Sequence, residues 1–146
     1  MTFRVHPLDL DVLRHMNNGT YLTLGDLGRV DLMNRSGVLR ETKRRGWYPV
    51  VASQTITYRR ALKLGQQFTL HTRMLGFDGH SVFIEHRFTV DDQLYARAII
   101  RGRFLKSGGG AVTGEELQSA VEPAPEGTVV PDWVRTWADD ARVNGT

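Results

Sequence analysis

The sequence predicts an α+β fold in which one long helix is wrapped by a curved antiparallel sheet of about five strands. Three observations carry that expectation. Apolar and small residues recur at helical spacing from about Asn18 to Ser36. After Pro49 the period changes to two and stays there until Lys106. The breaks between the alternating runs are built from turn residues.

Taken in order, Phe3 to His6 is short and β-compatible, and a polar segment from Asp9 to Asn18 follows it. In the helical run Tyr21, Leu24, Gly25, Gly28 and Leu32 share one face. Asn17 or Asn18 supplies the N-cap, and Ser36-Gly37 the stop. Gly25 and Gly28 each cost a helix roughly 1 kcal/mol relative to alanine, a cost that makes sense where a sheet approaches closely. Val38 to Arg45 reads as a short second helix ending at Gly46. Four strands follow: Val51–Arg60, Gln67–Phe77, Ser81–Val90 and Leu94–Lys106. The last three form a meander through Gly76-Phe77-Asp78-Gly79 and Asp91-Asp92. Beyond the Gly108–Gly110 break, Thr113 to Glu116 has capping-box spacing and starts a short helix. Pro123 to Gly127 reads as a linker, and Pro131 to Ala141 as a terminal helix.

The sheet can cover only one side of the helix, and an open sheet leaves two edges to protect. Pairing with a second copy meets both needs, so a homodimer or a dimer of dimers is expected.

At 146 residues the chain is expected to hold one domain over 1–106, with a tail over 107–146 whose short helices pack on it. No apolar run approaches the ~18 residues needed to span a bilayer, and the start of the sequence lacks a signal-peptide core. The absence of cysteine excludes disulfides, thiolate metal sites and a cysteine nucleophile, and fits a cytoplasmic location. A net charge of +3 permits a phosphate-bearing ligand but is too weak to imply nucleic acid. His6, His15, His71, His80 and His86 show no ligand spacing with acids, so neither a metal nor a cofactor is expected.

The chemistry concentrates in Asp9-Leu10-Asp11-Val12-Leu13-Arg14-His15-Met16-Asn17-Asn18-Gly19-Thr20-Tyr21. Polar groups this dense are costly to desolvate unless they bond to one another or act on a ligand. The helix N-terminus behind them favours developing negative charge.

This segment resembles the acyl-thioesterase branch of the hotdog fold, whose pattern Asp-x-Asp-x-x-x-His-Met/Val-Asn-Asn-x-x-Tyr is met at Asp9, Asp11, His15, Met16, Asn17, Asn18 and Tyr21. Asp26-Leu27-Gly28-Arg29, Arg44 to Val51, Thr57-Tyr58-Arg59-Arg60 and Glu85-His86-Arg87-Phe88 extend the likeness to the thioesterase-superfamily-member-six-like group, close to the 4-hydroxybenzoyl-CoA thioesterase-like enzymes. The resemblance covers roughly residues 3 to 106 and implies hydrolysis of an acyl-CoA or acyl-carrier-protein thioester. It implies that Asp11 acts as general base or as nucleophile, with His15, Asn17 and Asn18 in support. Backbone N–H groups around Asn18 to Thr20 would hold the oxyanion, with Gly19 allowing close approach. Tyr21 reads as core or pocket wall, and Arg59 and Arg60 could meet coenzyme A phosphates.

Plainer roles stand beside these. Asp9 reads as a loop acid or turn residue, His15 as a loop tie, the asparagines as cap and loop residues, and Glu85, though within reach of the site, as a surface or paired carboxylate. Lys43, Arg44, Arg45 and Lys63 could also meet those phosphates but read first as solvated charge, and Trp47, Tyr48 and Phe77 could line an acyl or adenine pocket but read first as core. A non-catalytic acyl-thioester binding protein on the same fold is the alternative reading. The hotdog hydratases are disfavoured, because only three residues separate Asp11 from His15 where their pattern has four.

Overall fold

The computed structural model describes residues 1–121 and 128–143. Strand β1 is Thr2–Arg4, and a 3₁₀ turn over Pro7–Asp9 leads to the polar segment. Helix α1 spans Asn18–Arg35 and α2 spans Val38–Arg44. Strands β2 (Trp47–Tyr58), β3 (Gln67–Asp78), β4 (Ser81–Val90) and β5 (Gln93–Lys106) follow, then α3 (Gly114–Ala120) and α4 (Asp132–Asp140). The expected linker at Pro123–Gly127 lies outside the described residues. Among those residues no helix is long and apolar enough to cross a membrane.

The five strands form one antiparallel sheet in the order β1-β3-β4-β5-β2. The meander is as the period-two pattern predicts. Strand β2 begins earlier than expected, because Trp47 to Val50 continue the ladder opposite Lys106 to Arg103. Pro49 is tolerated inside it because β2 is an edge strand, where a missing N–H costs no ladder bond on the open side.

Helix α1 lies across the inner face of the sheet. Its buried positions are Tyr21, Gly25 and Gly28, while Leu27 and Val30 remain about half exposed on the far side. Gly25 and Gly28 stand where the helix comes closest to the sheet. A Cβ on Gly28 would stand 2.4 Å from Thr72 Oγ1, and one on Gly25 would meet the His86 ring at 3.2 Å. His86 divides the inner core. Tyr21, Phe68, Leu70 and Phe88 pack on one side of it, and Ile84, Ile100 and Phe104 on the other.

His86 is held from two elements. Its Nδ1 lies 2.9 Å from Thr72 Oγ1, and its Nε2 lies 3.5 Å from Arg29 Nη1. A guanidinium only donates, so Nε2 accepts and Nδ1 donates to the threonine. Arg29 is paired in turn with Asp26 one turn earlier on α1. Burial, reinforced by the Arg29 charge, pushes the His86 imidazole down to about 4.

The outer face of the sheet carries a separate core. Leu75, Phe83 and Ile99 are covered by Val130, Val134 and Ala138, which places α4 across the side opposite α1. Buried Arg101 ties it down, donating to Ser81 Oγ at 2.9 Å and to the Ala138 carbonyl near the end of α4 at 3.1 Å.

This packing can be tested at two residues. Gly28→Ala improves helix propensity yet is expected to lower stability by about 1–3 kcal/mol, because Thr72 and Leu70 must move. An unchanged or raised urea midpoint would show that α1 does not press on the sheet. His86 binds its proton more weakly folded than unfolded, so its contribution is full above its ordinary value of 6.5 and is lost as pH falls towards about 4. Urea midpoints should therefore decline across that window, and His86→Gln should flatten the decline.

Candidate functional site

The polar segment folds into a tight turn docked against the end of β2. Backbone bridges join Leu10 to Met16 and His15 to Lys63. Within the turn the Asp11 N–H donates to the His15 carbonyl at 2.8 Å, and the Arg14 N–H to the Asp11 carbonyl at 3.0 Å. Arg14 closes it in the left-handed region at φ 61, uncommon for a residue other than glycine. The Met16 N–H donates to the Leu62 carbonyl at 2.8 Å and fixes the turn to the segment behind β2.

This geometry fixes the Asp11 carboxylate. Its Oδ1 accepts from the Leu13 N–H at 2.9 Å and the His15 N–H at 3.2 Å. Its Oδ2 accepts no hydrogen bond among the described residues. Asp9 is engaged differently. Its Oδ2 accepts from the His6 N–H at 2.8 Å and closes the 3₁₀ turn, on the wall of a separate cleft with Thr2, Phe3 and Leu24.

Asp11 lines a cleft of about 360 Å³ together with His15, Asn18, Tyr21, Tyr58 and Arg59. Leu13, Met16, Arg60 and Ala61 complete its wall. Asn17, Gly19 and Thr20 stand beside this cleft without lining it. Asn17 is the N-cap, its Oδ1 accepting from the Gly19 N–H at 2.7 Å and its carbonyl from the Thr20 N–H at 3.0 Å. Of the three backbone donors expected at the start of α1, two are therefore spent on the cap. Asn18 lines the cleft, and no hydrogen bond from its N–H is found among the described residues.

The aromatic wall is a contact between two tyrosines from different elements. Tyr21 and Tyr58 meet edge to face with ring centroids 5.2 Å apart, and Phe88 backs Tyr21 at 5.0 Å. Burial pushes the Tyr21 phenol up, opposed by a backbone hydrogen bond from Leu62 and aided by Tyr58; burial also raises Tyr58. Sequence reasoning missed Tyr58 as a site residue. The available signal was its place at the end of β2, directly before Arg59-Arg60.

The basic residues divide. Arg60 donates to Gln93 Oε1 and lies over the Tyr95 ring, whereas Arg59 makes no ion pair among the described residues. Arg44 and Arg45 both bind Glu41, and those hydrogen bonds, Arg44 first, hold its carboxyl down at about 2. Glu85 is buried and pairs with Arg73 at 2.6 Å on the outer sheet face, away from the walls of the Asp11 cleft. Trp47 and Phe77 pack against the core, while Tyr48 is exposed. No group of three or more histidine, aspartate or glutamate residues among the described ones can hold a metal ion.

Comparison with known proteins agrees with this architecture. The family model of the thioesterase-like superfamily matches residues 5–138. Protein THEM6 of Xenopus laevis is 37% identical over 99 residues, covering 68% of this chain and 48% of the relative. The chain thus spans about half the length of the curated relatives it matches. Among solved structures, YbaW of Escherichia coli, described as a probable thioesterase, superposes with a TM-score of 0.77 at 25% identity, covering 82% of this chain and 93% of that one. A thioesterase of Thermus thermophilus complexed with coenzyme A and zinc gives 0.67 at 25% identity, covering 82% and 90%.

Proposed function

This chain belongs to the thioesterase-like superfamily, and from that premise we propose that it hydrolyses acyl-coenzyme A thioesters at the Asp11 cleft. The observation that carries the reading is the Asp11 carboxylate of the cleft wall, with one oxygen held by two backbone N–H groups and the other unbonded among the described residues. The held oxygen fixes the orientation of the free one. That suits a group that must take a proton from water, or attack, at a defined carbonyl carbon.

The roles follow from what lines the cleft. Asp11 activates water against the thioester carbon, or forms an anhydride with it that water then opens. The carbonyl oxygen gains negative charge, which the Asn18 N–H and the positive end of α1 stabilise. The thiolate leaves as coenzyme A, whose phosphates meet Arg59 and, beside it, Arg60. Tyr21, Tyr58, Leu13 and Met16 supply the apolar wall for the acyl group. His15, its backbone pinned to Asp11 and Lys63, stands at the cleft to orient the thioester. The Thermus thermophilus relative held with coenzyme A supports that carrier.

The working unit is a homo-oligomer. Strand β2 has an open edge along twelve residues, with Tyr48, Val51 and Tyr58 exposed. Leu8 and Val12 beside the Asp11 turn are 99% and 98% exposed, too much apolar surface at one place for a lone chain. A second copy along this edge covers both.

Asp11→Asn is a clean test of the chemistry, because the amide oxygen can accept the same two N–H bonds and keep the turn. Thiol release from a panel of short, long and aromatic acyl-CoAs should fall by about 10²-fold or more in kcat/KM. Equal turnover by variant and wild type would overturn the assignment of Asp11. Tight acyl-CoA binding without any turnover by the wild type would identify a binding protein instead. Light scattering should give a mass of two or four chains, and a monomer would refute the shared edge.

A further inference from the structure

We propose that the outer face of the sheet carries a second ligand site, a row formed by His71, Arg87 and Arg97 that binds a phosphate dianion. The three residues stand side by side on neighbouring strands. His71 on β3 is in register with Arg87 on β4, and Arg87 with Arg97 on β5; Thr57 of β2 ends the row. On β4 the alternate residues Ile84, His86 and Phe88 face α1, so Arg87 faces outward with Phe83, which meets α4. The row thus lies on the side of the sheet opposite Tyr21 of the Asp11 cleft.

Directly opposed like charges destabilise a sheet, and their Cβ atoms lie only about 5 Å apart. An acid in the next row would relieve the repulsion. The acid there is Glu85, which is 5% exposed and already bound to Arg73, the residue directly opposite it. Among the described residues neither Arg87 nor Arg97 makes an ion pair. Repulsion is left standing in the middle of a well-ordered ladder.

The flanks of the row are fixed while its centre is open. The Arg97 guanidinium lies over the Trp133 ring of α4, 4.9 Å from its centre. The His71 Nε2 is 3.1 Å from Thr89 Oγ1. Arg87 between them is exposed and has no hydrogen-bonded side-chain partner among the described residues. Two guanidinium forks and an imidazole at strand spacing offer several N–H donors to one compact tetrahedral anion. A dianion neutralises the repulsion as it binds, so phosphate is favoured over a monoanion. The Trp133 wall beside the row suits a small soluble phosphate rather than a flat membrane surface.

Thermal unfolding in inorganic phosphate, against sodium chloride of equal ionic strength, tests this. Wild type should gain about 3 °C or more in Tm when phosphate is at about ten times its Kd, and Arg87→Gln should lose that gain. In phosphate-free, low-salt buffer Arg87→Gln should melt at or above wild type, since one of two opposed charges is gone. That second measurement separates a vacated site from a damaged fold. The proposal is overturned if wild type shows no phosphate-specific gain, or if the variant shows the same gain. It is also overturned if only phosphatidic acid vesicles produce the effect.

Discussion

The close approach of α1 to the sheet is the constraint on which the rest of the molecule depends. Two glycines let the helix axis settle against Leu70, Thr72 and His86, where a side chain at Gly28 would collide and one at Gly25 would crowd the imidazole. That distance decides the depth of the inner core and the tightness of the seal over a buried imidazole. It also decides the height at which the helix begins. The polar turn, the cap and the first free N–H of α1 all take their places from it.

The candidate site is assembled at the junction of three backbone segments rather than on one. The 11–15 turn is closed on itself, pinned to the strand exit at Leu62 and Lys63, and continued by the capped helix. The turn alone bonds the Asp11 carboxylate, and the strand exit and the capped helix hold the turn in place. Together they leave the carboxylate few orientations, which is the kind of fixed geometry that reactions of carbonyl compounds reward. Tyr58 and Arg59 arrive from the end of β2, so the cleft also feels whatever pairs with that edge.

Much of this was legible in the sequence, and the reason is periodicity. The helix from Asn18 and the strands Gln67, Ser81 and Leu94 onward follow from spacing alone, because each buries one continuous side. The Asp11 motif was legible as a motif. What spacing cannot express is competition for donors. Asn17 and Asn18 look alike in sequence, and only the folded cap shows that Asn17 is the one that takes the Gly19 and Thr20 N–H groups. Strand β2 was placed too late because Pro49 reads as a break, and its edge position removes the penalty. The resting place of α4 was not legible either. Val134 and Ala138 fit any apolar surface, and only the strand alternation of Phe83 and Ile99 made the outer one apolar.

The position of α4 has a consequence for biosynthesis. The sheet is complete once Lys106 has been made, but the helix that covers Leu75, Phe83 and Ile99 is among the last parts of the described chain to leave the ribosome. Until then a finished β-sheet displays a greasy back to solvent or to any nascent neighbour. Arg101, which waits beneath that back for a carbonyl of a helix not yet made, keeps a charge in the exposed patch during the interval. The residue that later fastens the cover also guards the surface before the cover arrives.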